Sequence, residues 1–165
     1  MEIKFSSTIM AGQGKYAAMK KNMAIQRQLI HFVYKEVRAR QLIDYDDKVT
    51  VIVKPMPRKY GSYCFGTREI VISARRDIRG MINTLLHEMK HSEQCKQKRL
   101  GFTVSSSGFG QMRYQAVNVW LGKEYRNPTS HAKYLALPWE VEAREAEKFT
   151  DEIYYSWVKF SGVKS

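Results

Sequence analysis

Apolar residues follow two rhythms along this chain, and the rhythms mark its elements. Residues 15–41 contain no proline or glycine, and Ile25, Leu29, Phe32, Val33 and Val37 recur at helical spacing between lysines and arginines. That predicts a long amphipathic helix, with Met19 and Met23 as core filler. The β-branched run at 49–53, closed by Pro55 and Pro57, predicts a strand. Residues 61–66 and 68–73 predict two more, joined by a short turn at Gly66-Thr67. Helical period returns with Met81, Ile82, Leu85, Leu86 and Met89, over about 78–98, and Gly101 is the expected stop. Residues 102–112 are rich in serine and glycine and predict a mobile loop; 114–120 alternate as a strand, and Leu121-Gly122-Lys123 turn the chain into Glu124-Tyr125-Arg126. A last helix is expected over 138–159 on the stripe Val141, Ala146, Phe149, Ile153 and Trp157, and the small, polar residues 1–14 predict a loose start. No repeat is visible. The resulting order is an N-terminal helix, a short mixed sheet, a helix, a hairpin and a C-terminal helix, which is an α+β fold in one domain spanning 1–165.

The second of those long helices carries chemistry. It contains His87-Glu88-Met89-Lys90-His91, and residues four apart in a helix stand almost one above the other. His87 and His91 therefore point the same way, opposite the apolar set, toward a cleft rather than the core. Two imidazoles so placed can bind one Zn²⁺, with Glu88 beside it as a general base. An amphipathic helix with two histidines on its wet side is the plainer alternative.

Charge and cysteine content narrow the partners. The 28 Lys and Arg against 16 Asp and Glu leave a formal charge of +12. It is uneven: residues 1–60 carry 12 basic and 5 acidic side chains, whereas 140–165 carry 4 and 6. Such a field favours non-specific nucleic acid or acidic protein as a neighbour, or serves only solubility. No recognition-helix, finger or RNP pattern accompanies it. Cys64 and Cys95 are too few for a disulfide scaffold; Cys95, four residues beyond His91, is a remote candidate ligand. The first residues form no apolar signal segment and no run reaches membrane-spanning length, so a cytoplasmic protein without membrane contact is expected, in the host cytoplasm if the source is viral. The oligomeric state is left open.

A further stretch, Leu137-Pro138-Trp139-Glu140-Val141-Glu142-Ala143, completes a resemblance. His87-Glu88-x-x-His91 followed by Glu140-x-x-Ala143 resembles the zincin metallopeptidases of the gluzincin type. The run that ends in L-P-W-E-V-E-A is similar to small metallopeptidase-like proteins of bacteriophage and bacteria. The motifs cover about a quarter of the chain; the remainder resembles the small zincin fold in order of elements only. The resemblance implies that Glu140 completes a zinc site with His87 and His91. Glu142 is the alternative ligand and Glu145 a more distant one; Glu140 is favoured by the small Ala143 three residues on and by Pro138 at the helix start. It also implies a zinc-dependent peptidase acting on an intracellular protein or peptide. Three protein ligands leave one position open for water, and Glu88 moves its proton to the leaving amine. Tyr134 or His131, just before the glutamate helix, would donate to the oxyanion. Many gluzincins follow E-x-x-A with Asp or Asn, but here Arg144 holds that place, so Glu142 or Glu145 is expected to orient the histidines instead. The strand at 68–73 is expected at a sheet edge beside the cleft, with Arg68, Arg75, Arg76 and Arg79 favouring acidic sequences. Two other classes fit the same residues: a zinc-binding interaction module facing nucleic acid, and a zinc amidase.

Overall fold

Two apolar residues, Ile3 and Phe5, are enough to recruit the start of the chain into a sheet. The computed structural model describes residues 1–6, 16–107 and 113–162. Glu2–Phe5 (β1) pairs in parallel with Thr50–Lys54 (β2), and Ile3 and Phe5 pack against the main core. Residues 2–5 are thus a strand and not part of a loose start, because alternation buries one face of even four residues; 7–14, also expected loose, lie outside the described residues. Tyr16–Ala39 (α1) follows, with Leu29, Ile30, Val33 and Val37 fully buried.

The first sheet is mixed, in the order β1-β2-β4-β3. Gly61–Cys64 (β3) and Glu69–Ser73 (β4) form a hairpin, and β4 pairs in parallel with β2. β4 is therefore interior, with Ile70, Val71, Ile72 and Ser73 buried in succession. The edge strand is β3, not the 68–73 strand expected there. A strand buried on both faces reads as a continuous apolar run, and Ile70-Val71-Ile72 is such a run.

Ile78–Lys96 (α2) lies next. Asp77 caps it by accepting from the Gly80 N–H at 2.8 Å. Its apolar side is buried against Val51, Val53, Ile70 and Ile72 of the sheet and against α1. The helix ends at Lys96. Lys98 adopts a positive φ of 58°, Lys98 N–H donates to Cys95 O and Arg99 N–H to Gln94 O, so the reversal happens there and not at Gly101. Gly101 is already inside Leu100–Ser107 (β5), which pairs residue for residue with Arg113–Trp120 (β6). The loop expected at 102–112 is thus mostly a long hairpin. Its serines join a ladder of main-chain hydrogen bonds that needs no apolar side chains; residues 108–112 lie outside the described residues. Leu121 and Gly122, at φ 50° and 80°, make the tight turn into Lys123–Tyr125 (β7).

The C-terminal helix is three pieces. Pro138–Ala146 (α4) passes through a 3₁₀ turn, Glu147–Phe149, into Thr150–Ser161 (α5), and a short helix, His131–Leu135 (α3), precedes it. A second apolar cluster of Leu100, Trp120, Leu137 and Trp139 joins the β5–β6–β7 sheet to the start of α4. The fold is α+β, with helices and two small sheets. No helix among the described residues is long and apolar enough to cross a membrane.

Candidate metal centre

The polar side of α2 opens on a cleft of about 770 Å³ between β3 and the α3–α4 junction. Its floor holds His87, Glu88 and His91, and α4 brings Glu140 over them. Pro138 sits at the first helical position of α4, where its missing N–H costs nothing, so Glu140 falls in the first turn. Trp139, buried in the second cluster, holds that turn down. Glu140 Oε2 lies 3.4 Å from His87 Nε2, Glu140 Oε1 lies 3.4 Å from His91 Nε2, and the two Nε2 atoms are 3.1 Å apart. Among the described residues this is the group of His, Cys, Asp or Glu side chains that could hold a metal, with all ligand atoms within 4.8 Å of one another.

The donor set fits zinc. Two imidazole nitrogens and one carboxylate are borderline-soft ligands. Atoms bonded to one tetrahedral ion at about 2.0–2.1 Å stand about 3.3 Å apart, which is the spacing seen here. The tautomers fit as well. His87 Nδ1 meets Glu147 Oε1 at 2.8 Å, and His91 Nδ1 meets Gln94 Oε1 at 2.9 Å. Both partners are acceptors, since Gln94 turns its own Nε2 to the Trp139 carbonyl at 3.0 Å. Each Nδ1 must therefore donate, which leaves both Nε2 lone pairs aimed at one point beside a carboxylate. Such an arrangement calls for a cation.

A proton can be that cation. Burial opposes charge on His87, but its hydrogen bonds to Glu140 and Glu147 outweigh burial and raise its pKa to about 9. Burial likewise acts against a charged Glu140, and the two histidines overcome it, holding that carboxyl far below the usual range. A zinc ion entering between them must displace the His87 proton. Binding at pH 7 is therefore expected to release about one proton from this site, with affinity rising as pH increases toward about 9. Titration calorimetry in buffers of different ionisation enthalpy reads this directly; a buffer-independent heat would contradict it.

Glu88 stands beside the ligand set and outside it. It is buried, and burial is the main cause that raises its pKa, while the imidazoles and the Tyr63 N–H act the other way. β3 can approach this close because residue 61 is glycine. A Cβ there would sit 2.8 Å from Glu88 Oε1 and closer still to the Thr84 methyl. Tyr134 is partly exposed, and its hydroxyl donates to Glu140 Oε1 at 2.7 Å. Burial and the neighbouring Glu140 both push its pKa up, so it is a proton donor across the physiological range. His131 also lines the cleft, exposed and stacked on the Tyr134 ring at 6.3 Å.

Other candidates stand elsewhere. Glu142 faces away from the histidines and forks onto Arg99, at 2.6 and 2.8 Å, with Lys90 at 3.3 Å. Glu145 is exposed. Neither orients a histidine, as had been expected of one of them; Glu147 and Gln94 do. Glu147 reaches His87 because it lies seven residues beyond Glu140, two turns on along the same helix face, and Asn83 holds its other oxygen at 3.0 Å. Gln94 lies three residues beyond His91 on the same helix face, a spacing that was readable in advance. Arg144 binds the main-chain carbonyls of Leu135 and Glu140, and so locks α3 to α4 where many gluzincins place an acid or amide. Cys95 packs into the second apolar cluster, where burial pushes its thiol up to about 12; it is no part of the ligand group. Comparison of the chain with protein-family models, with curated proteins and with solved structures finds no match.

Proposed function

We propose that this chain is a zinc-dependent peptidase of zincin type, with His87, His91 and Glu140 as the metal ligands and Glu88 as the general base. The observation that carries the reading is a buried carboxylate, Glu88, beside a convergent His-His-Glu set in an open cleft. A site built only to hold metal has no use for that fourth, non-ligating carboxylate. Zinc, when bound, supplies Lewis acidity that acidifies water and polarises a carbonyl. Glu88 takes a proton from the attacking water and passes it to the leaving amine as the C–N bond breaks. Its burial favours this, because a carboxylate with a raised pKa is a stronger base. The Tyr134 hydroxyl can turn from Glu140 to the oxygen of the tetrahedral species and donate there.

The substrate backbone has a place as well. Ser73 N–H donates to the Tyr60 carbonyl, so residues 60, 62 and 64 face β4, and Gly61 and Tyr63 turn their main-chain groups outward, the Tyr63 N–H toward Glu88. An extended peptide can add beside Glu88 through the remaining outward groups, the Gly61 N–H and C=O and the Tyr63 C=O. The first test is the metal itself. Purified protein is expected to carry one zinc per chain, and zinc at about 100 times its Kd should add about 2.7 kcal/mol of stability to the metal-free form. For a chain of this size that is roughly 5–10 °C in Tm. An unchanged melting curve with no stoichiometric metal would end the proposal.

A further inference from the structure

The two ends of the edge strand differ in chemistry, and the difference faces the cleft. At the C-terminal end of β3, Phe65 lines the cleft with its ring stacked on Phe102 at 5.8 Å and 15°. Phe102 is 56 % exposed, and Leu100 and Trp139 line the cleft beside Phe65. At the N-terminal end, Arg58 and Lys59 line the same cleft, and the Arg76 guanidinium lies 4.1 Å over the Tyr60 ring. These three cations form no ion pair with a described residue, and Arg76 Nε is buried without a hydrogen-bond partner. The acids nearby are committed elsewhere: Asp77 to the α2 cap, Asp151 to Arg79, and Glu147 to His87 and Asn83. Glu88 faces the middle of the strand, between these ends.

We infer that the cleft selects an extended peptide with an aromatic or large apolar residue just before the cleaved bond and acidic residues just after it. The inference rests on the peptidase reading above. A strand added to the free edge of β3 pairs better antiparallel than parallel. Its N-terminal part then lies along Phe65 and Phe102, and its C-terminal part reaches Arg58 and Lys59, with Arg76 beyond them lining the adjoining cavity. Stacking and area burial select the first part, and partly exposed ion pairs select the second. The single-stranded nucleic acid that a basic and aromatic surface also attracts would bind along its phosphates and show no such polarity.

The experiment compares two peptides of equal composition, one with phenylalanine followed by aspartates across its central bond and one in the reverse order. Binding is read by fluorescence anisotropy on zinc-loaded Glu88→Gln, which needs no turnover. The Phe-then-Asp peptide is expected to bind about tenfold more tightly at low salt, the size of two partly exposed ion pairs together with the apolar contact. Adding Arg58→Glu and Lys59→Glu should erase the preference and its salt dependence. Phe102→Ser should weaken binding several-fold and leave the salt dependence in place. Equal binding, a preference for the reversed peptide, or displacement of either peptide by a short oligonucleotide at lower concentration overturns the inference. Zinc-loaded wild type separates the two claims: cleavage of both peptides at equal rates sinks the preference and leaves the peptidase reading standing. Cleavage of neither sinks both.

Discussion

Glu88→Gln is expected to retain zinc, fold and melting temperature while losing about 10²–10⁴-fold in hydrolysis, the range that a positioned general base contributes. The substitution keeps the shape of the side chain and its contact with the Tyr63 N–H, and removes only basicity. It also removes a buried carboxyl whose charged form is disfavoured by burial, so stability should hold or rise slightly. Single-turnover assays with metal analysis of the same preparation check both halves. Equal rates for wild type and variant would remove Glu88 from the mechanism. Loss of zinc alongside loss of activity would make it a ligand instead of a base.

The second large effect separates two neighbouring glutamates. Glu140→Ala is expected to lower zinc affinity by more than about 100-fold, beyond the 10–100-fold typical of an orienting partner, because it removes the only anion among the three donors. His87→Ala and His91→Ala should do the same. Glu142→Ala should leave zinc affinity within a few-fold of wild type. Its carboxylate is about 200° from Glu140 around the helix and is engaged with Arg99 and Lys90. Its loss should instead appear as modest destabilisation, about 1 kcal/mol, since these groups are partly exposed. Competition with a chromophoric chelator ranks the variants. Were Glu142→Ala the more damaging to zinc affinity, the ligand assignment would fail.

Features that depend on near neighbours in the chain were legible from the residues alone. The five apolar residues of α2 are buried and its two histidines share the opposite side, because a period of 3.6 residues decides both. Pro138 sets the start of α4, and with it the turn that carries Glu140. The β3–β4 hairpin and the β6–β7 turn were legible from their glycines and short connections. Features that depend on distant segments emerge only once those segments pack together. Whether β3 or β4 is the edge strand turns on β4 pairing with β2, a choice made by main-chain groups that every residue type shares. The same pairing physics made a strand of residues 2–5 and a hairpin of the serine-rich segment, where side chains carried little signal. Glu147 lies seven residues beyond Glu140, on the same face of the helix. It meets His87, 60 residues away, because α4 packs against α2. The shared face was legible from that spacing; the partner was not, because it is set by how one helix docks against another.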